Sequence, residues 1–548
     1  MTDQDFDSAS LAALFAPFNR GDAPGMVVGV ARHGATLFRR AFGLASVEHG
    51  VANSVRTRMR IGSTSKHFAC LAALLLAEEG RLDLDVGVRR YLPELPQRRD
   101  DGQEPTLRQL MTHTGGMRDS LDVGFLASGM TIKPKGESMA VQLRQQDINF
   151  APGDKTVYNN GGYHMLSHVI ARVAGMPFER FLAERIFTPL GMVDSASVPS
   201  DFMILPGVAT LHVPQPDGGW RRGMFPSEEV LGEGGIVSTV DDMLRWLAHL
   251  RAPGIVGGAH SWEQMLAPAR LNNGLLTTYA LGLMVEQYRG VDVIHHGGTV
   301  IGGHCQMLTV PGHGLDVIII SNGAQVSLFD LANQVIEAVL GEETFATAPH
   351  TPAATADFAP LAGAVYASPS GDLVVGFADA DGKLGLLVHN SPPLALRVEP
   401  GALQLDFNRS ATGPYRIAIE PSRQGDAAPA TLMFEDAGTP HQLERLPPPP
   451  ALAQAGEALL GRYLSPDLNA TAAIVADGER LLLRIAGEFG SNVLDLTPYS
   501  AELFGWKFVG DLAPLGGTLR VERDGGTVTG VRLNTLRTRH MYLQRIGS

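Results

Sequence analysis

Two kinds of apolar periodicity divide the chain. In "GMVVGVARHGATLFRRAFG" (25–43) and "HCQMLTVPGHGLDVIIISNG" (304–323), apolar runs are interrupted by turns at His33-Gly34 and Pro311-Gly312, which predicts two β-hairpins. Between them the period lengthens. The stretch after Ser63 stays apolar as far as Gly80, and "GYHMLSHVIARVAG" places Tyr163, Leu166, Val169, Ile170 and Val173 on one stripe before Gly175. Both predict helices that stop at a glycine. Strands at both ends of a helical middle predict an α+β domain.

Beyond residue 340 the pattern changes again. "GEETFATAPHTPAATADFAP" (341–360) and "RLPPPPALAQAGE" (445–457) have linker composition, the second stiffened by four prolines. The expected division is a catalytic-sized segment 1–342, a linker 343–360, a small domain 361–446, a Pro-rich linker 447–457 and a second small domain 458–548. The two small segments resemble each other. Gly363 and Gly461 open Gly-x-Tyr-like starts, and each is followed by an alternating run and an Asp-Gly pair, at Asp381 and Asp477. Short alternating strands with frequent turns predict antiparallel barrels or sandwiches, duplicated side by side.

Composition narrows the function classes. Among 548 residues, 44% are hydrophobic, yet no stretch approaches the ~18 uninterrupted apolar residues of a membrane helix. The start, "MTDQDFDSASLAALFAPF", lacks the basic region and cleavage site of a signal peptide, so a cytoplasmic protein is expected. The formal charge of -13, with no basic block, argues against a nucleic-acid partner. Cys70 and Cys305 lie in apolar stretches and are expected to be buried free thiols.

The candidate chemistry begins at "RIGSTSKHF", residues 60–68. An extended segment runs into an apolar helix, so Ser63 falls at the helix start and Lys66 one turn on, on the same face. A serine needs a base to become nucleophilic, and a desolvated lysine can serve. On this motif alone a Ser63 cap with a solvated Lys66 reads equally well. Two further features favour the catalytic reading: "VYNNGGY" supplies Tyr158, Asn159 and Asn160 before a helix, and "VIHHGGTVIGG" supplies His296-Gly297-Gly298 at a strand end.

In that order these motifs resemble the serine β-lactamase and penicillin-binding superfamily, with its Ser-x-x-Lys, Tyr-x-Asn and Lys-Thr-Gly or His-bearing variant. "LMTHTGGM", "TPLGM" and "GEGGIVSTVDDM" extend the likeness through the first segment. With two appended β domains the chain looks most like the bacterial D-aminopeptidases. The resemblance implies a class C β-lactamase-like α+β domain followed by two lipocalin-like antiparallel β-barrels, a homodimer and no cofactor. By the same resemblance Ser63 is acylated, Lys66 and Tyr158 carry its proton to the leaving group, Asn160 orients the substrate, and His296 replaces the lysine that attracts a carboxylate elsewhere. The oxyanion hole is expected at the backbone N–H groups of Ser63 and Thr299.

The relatives' amine-binding acid sits on a loop of the last domain that enters the cleft. Here that loop is expected at 487–500, but the aligned position is Val493, which leaves Asp495, or Glu488, as the substitute. His113 is read as structural, and His295 as facing away from His296 by strand alternation. His164 and His168 have zinc-ligand spacing without an evident third ligand, so no metal is expected. The substrates implied are small peptides, amides or esters with an N-terminal D-amino acid. An esterase or amidase without a free-amine requirement, a D-Ala-D-Ala carboxypeptidase and a noncatalytic binding protein are the other readings.

Overall fold

A computed structural model describes residues 8–99, 102–405, 413–419, 427–510 and 515–547. Both ends of the first segment build its central sheet. Strands β1 (Met26–Arg32), β2 (Ala35–Phe42), β3 (Met284–Tyr288), β4 (Val291–Val300), β5 (Gly303–Val310) and β6 (Leu315–Ser321) lie in the order β3-β4-β5-β6-β1-β2. Every neighbouring pair is antiparallel, and Met26 lies opposite Ser321. The β1–β2 turn puts His33 (φ 48°) and Gly34 (φ 83°) in the left-handed region, as a two-residue hairpin requires.

The helices used below are α1 (Ala9–Phe15), α2 (Lys66–Glu78), α3 (Ser120–Ser128), α4 (Asn160–Ala174), α5 (Val240–Arg251) and α6 (Leu328–Leu340). Strand alternation sorts the sheet into two faces. Val28, Val30, Val317 and Ile319 pack with α1 and α6, whereas Val27, Ile318 and Ile320 join the larger core containing α2, α4 and α5. Covered on both faces, β6 is buried throughout, which is why "LDVIIIS" shows little alternation. Helix α2 is buried on all sides from Phe68 to Leu76. Its first residue is therefore held inside the protein.

The two small domains are closed eight-stranded antiparallel barrels. The first is β7 (Val365–Ala367), β8 (Val374–Ala380), β9 (Lys383–Val388), β10 (Leu394–Glu399), β11 (Ala402–Leu405), β12 (Tyr415–Ala418), β13 (Thr431–Asp436) and β14 (Thr439–Arg445). The second is β15 (Gly461–Ser465), β16 (Ala470–Asp477), β17 (Arg480–Gly487), β18 (Ser491–Pro498), β19 (Leu503–Phe508), β20 (Gly516–Asp524), β21 (Thr527–Asn534) and β22 (Met541–Gly547). The repeat read from the sequence is this architecture: Tyr366 and Tyr463 are buried in matching first strands, and the Asp381-Gly382 and Asp477-Gly478 pairs lie at the β8–β9 and β16–β17 hairpins. The expected linker 447–457 contains a short helix, Leu452–Gly456.

The last barrel is docked on the catalytic domain. Val123, Leu126 and Ala127 of α3 share an apolar core with Leu468, Leu481 and Leu494. At its edge Arg118, fully buried, bonds Asp467 at 2.7 Å and donates to the carbonyls of Arg539 at 3.0 Å and His540 at 2.9 Å. Among the described residues, no helix is long and apolar enough to cross a membrane. Cys70 and Cys305 are buried free thiols.

Candidate active site

Ser63 is placed by glycines. Ser63 lies in a single 3-10 turn, Gly62–Ser65, that runs into α2 and is pressed against the end of β4. A Cβ on Gly298 would stand 1.8 Å from the Ile61 carbonyl oxygen, and one on Gly62 would stand 2.9 Å from the Thr299 nitrogen. Only hydrogen fits at either position, so the strand backbone reaches the turn and Thr299 comes beside Ser63. Ser65, the other hydroxyl of the motif, accepts from the Ile236 N–H at 3.1 Å and is buried. Its role is in packing.

Lys66 is fully buried, and its Nζ lies 3.1 Å from Ser63 Oγ, 2.9 Å from Asn160 Oδ1 and 2.7 Å from the Glu233 carbonyl oxygen. The last two atoms can only accept. A neutral amine would give its two hydrogens to them and aim its lone pair at the Ser63 hydroxyl. Burial lowers Lys66 to about 7, against the opposing pull of Glu233 and Asp119 and with help from Arg537. The amine is thus available as a base near neutral pH.

Tyr158 lies beside the same lysine, with Nζ 4.7 Å from its ring centroid. Burial raises its hydroxyl well above the usual value, an effect only partly offset by a hydrogen bond with Ser63. It remains a phenol across the physiological range, able to donate a proton. Behind it runs a chain with both ends fixed by backbone. The Asn159 N–H donates to His113 Nδ1 at 3.0 Å, His113 Nε2 lies 3.1 Å from the Tyr279 hydroxyl, Tyr279 lies 3.0 Å from His296 Nε2, and His296 Nδ1 lies 2.5 Å from the Gly297 carbonyl. The carbonyl must accept, so His296 carries hydrogen on Nδ1 and takes the Tyr279 hydrogen on Nε2. Burial, with Lys66 nearby, lowers His296 to about 3. The ring is neutral, with both nitrogens occupied by the protein, and it stands where the resemblance puts a lysine in other members. His113, read from the sequence as structural, bonds the 157–159 segment and packs against Tyr158 and Tyr279, at ring distances of 4.2 and 4.7 Å.

Asp119 orders the floor. It accepts from the Leu121 N–H at 3.1 Å, starting α3, from the Gly161 N–H at 3.2 Å, and from Asn160 Nδ2 at 3.0 Å. Asn160 therefore gives its oxygen to Lys66 and one hydrogen of its nitrogen to Asp119, and it also lines the cavity. Above them opens a cavity of about 540 Å³ lined by Ser63, Tyr158, Asn160, His296, Thr299 and, from the last barrel, Arg537.

The last domain does reach the cleft, by a different loop from the one expected. Residues 491–498 form strand β18, where Leu494 and Leu496 point into the barrel and Asp495, between them, pairs with Arg480 at 2.8 Å. Glu488 bonds Asn469 at 3.0 Å. Neither carboxylate lines the cavity. The segment that enters is 535–540, between β21 and β22, and nothing in the sequence marks it except the basic cluster "LRTRH" among hairpins.

His164 and His168 acquire the partners that the sequence did not show. His164 Nδ1 is 3.0 Å from Glu233 Oε1, its Nε2 is 3.6 Å from Glu229 Oε2 and 3.2 Å from His168 Nε2, and donor atoms of His164, His168 and Glu229 lie within 4.8 Å of one another. These three could hold a metal ion. As they stand, burial disfavours charge on His164, but Glu233 and Glu229 outweigh it and raise the ring to about 9. A histidinium there lies between two carboxylates, while Glu233 Oε2 is buried without a hydrogen-bond partner. His295 faces away from His296, as alternation predicts, and meets Glu286 at 2.7 Å.

Comparison with known proteins agrees with this geometry. The family model described as Beta-lactamase matches residues 11–340. A D-aminopeptidase of Cereibacter sphaeroides is 28% identical over 97% of this chain and 98% of its own length. A Brucella melitensis D-aminopeptidase is 26% identical over 87% of this chain and 86% of its own. Among solved structures, the octameric penicillin-binding protein homologue from Pyrococcus abyssi superposes with a TM-score of 0.53 at 17% identity, covering 98% of this chain and 99% of that one. The D-amino acid amidase from Ochrobactrum anthropi SV3 gives 0.51 at 21% identity, over 61% of this chain and 99% of that one.

Proposed function

The chain belongs to the beta-lactamase family of hydrolases, and from that premise we propose that it cleaves amides, esters or short peptides of D-amino acids through an acyl-enzyme on Ser63. The observation that carries this reading is the buried Lys66 amine 3.1 Å from Ser63 Oγ. Lys66 takes the Ser63 proton as Oγ attacks the acyl carbon. The oxyanion forms against the N–H groups of Ser63 and Thr299, where each donor is worth about 2.7–4 kcal/mol. Tyr158 gives its proton to the departing atom and regains one from Lys66, leaving an ester on Ser63. Water then repeats the sequence in reverse and frees the acid. The preference for D-amino acids rests on what the near-full-length relatives are named for.

The free-amine requirement of a strict aminopeptidase has weaker support. Asp495 is engaged with Arg480 outside the cavity, and a guanidinium lines the cavity. An amidase or esterase that accepts blocked amines is the second reading. A serine-reactive phosphonate should label Ser63, and turnover of D-alanine p-nitroanilide should exceed that of the L-form and vanish in Ser63→Ala. Labelling at Ser65, or equal rates for both enantiomers, contradicts the proposal. A cytoplasmic location and a homodimer belong to the same reading. Fractionation checks the first and sedimentation the second, with the octamer of the Pyrococcus abyssi neighbour as the competing outcome.

A further inference from the structure

Arg537 is brought into the cavity by a loop built to hold it still. Within the loop, the Arg537 and Thr538 N–H groups donate to Thr535 Oγ1 at 3.0 and 2.8 Å. From the catalytic domain, Asn149 Nδ2 donates to the Arg537 carbonyl at 2.7 Å, and Asn149 Oδ1 accepts from the Arg539 N–H at 2.7 Å. Thr535 is bonded to Asp122, and Arg118 grips the two carbonyls that follow. A loop fastened from both sides presents its side chain with little left to order on binding.

The guanidinium itself is less engaged than its backbone. It lies over the Tyr158 ring, 4.9 Å from the centroid, and 4.0 Å from Asp119 Oδ2, with its side chain 38% exposed. That carboxylate already accepts three shorter hydrogen bonds. Among the described residues, the Arg537 side chain makes no hydrogen bond of ordinary length. Its planar fork of donors thus faces the cavity, in the geometry that suits a carboxylate. His296, which also lines the cavity, has both nitrogens occupied by the protein.

Position decides which part of a substrate the fork meets. Tyr158 is the ring that donates to the departing atom, and Arg537 lies on that ring, so the fork faces the leaving group. We propose that Arg537 binds a carboxylate carried by the leaving group, so that the preferred substrates are short D-aminoacyl compounds whose departing piece is an amino or hydroxy acid with a free terminus. This deepens the reading of Ser63, Lys66 and Tyr158 and rests on it.

The test separates binding from chemistry. The full-length Ser63→Ala protein is titrated by calorimetry with N-acetyl-D-alanylglycine and with its neutral C-terminal amide, at low and at raised salt. The acid should bind about ten- to a hundredfold more tightly than the amide, the range of a charge-assisted hydrogen bond, and salt should narrow the gap. In Ser63→Ala/Arg537→Met the preference should disappear. In Ser63→Ala/Arg537→Lys part of it should return, which a purely structural role for the side chain would not produce. Equal affinities in the parent protein, no binding of either ligand up to the solubility limit, or a preference unchanged by Arg537→Met each overturn the proposal. Labelling of Ser63 by p-nitrophenyl acetate in the wild-type protein reports on the hydrolase reading separately.

Discussion

Burial acts on Lys66 and Tyr158 in opposite senses, which suits the division of proton work proposed for them. It removes charge from the amine and keeps the hydrogen on the phenol. Turnover of a neutral ester should therefore rise with pH along a limb centred near the Lys66 value of about 7, with no loss from Tyr158 ionisation at moderately alkaline pH. A pH–rate profile flat from about 6 to 9 contradicts this. Lys66→Gln should lower kcat by about 10²–10⁴-fold, read in single-turnover kinetics. Ser63, Lys66 and Tyr158 were legible in the sequence because Lys66 follows Ser63 by one helix turn and Tyr158 stands just before a helix start, in the motif order of a known superfamily. Asp119 and Tyr279 were not, since a single side chain that meets the site through tertiary packing leaves no period behind. The misplacement of Asp495 was avoidable: in "NVLDLTP" Leu494 and Leu496 alternate, which reads as a strand with Asp495 turned outward.

Two elements hold the site at fixed spacing, and each can be tested without touching a reacting atom. The first is the end of β4. Gly298→Ala would force its new methyl into the Ile61 carbonyl, so the strand must retreat and take the Thr299 N–H with it. A kcat loss of about 10²–10³-fold is expected, comparable to removing an oxyanion donor, with both barrels intact by circular dichroism. The second is α4, whose His164 is raised to about 9 between Glu233 and Glu229. Because the folded value lies above the unfolded 6.5, the stabilisation is complete below about 6.5 and is lost as pH rises through 9. The gap in thermal midpoint between wild type and His164→Gln should shrink over that window; a constant gap would mean that the ring is neutral in the fold. The hairpins and helices that carry these residues were readable from periodicity and glycine stops. The cluster itself was not, because Glu229 and Glu233 come from a distant loop.

Across the whole molecule, the nucleophile and the cation that faces it are supplied by opposite ends of the sequence. Their meeting is held in part by Arg118, whose removal would leave the buried Asp467 with Arg99 alone at 3.8 Å, at a cost of up to about 3–5 kcal/mol. Arg118→Met should split thermal unfolding into separate transitions as the last barrel loosens, and the Arg537-dependent preference should weaken with it; one unchanged transition would show that the apolar contacts of α3 suffice. The duplicated β domains were foreseen from an internal repeat, and their closure as barrels from the family resemblance, but the loop that enters the cleft was not, because which loop of a barrel faces a neighbour is set by docking. The central sheet has a consequence in time. Strand β1 pairs with β2 at once, but its other edge waits for β6, with Met26 opposite Ser321. At ribosomal rates of about 5–20 residues per second, the edge stays open for roughly 15–60 s of synthesis. During that interval the apolar stretch of α2 lacks part of its cover, so the nascent chain should be a client of holding chaperones until β6 leaves the exit tunnel, well before either barrel exists.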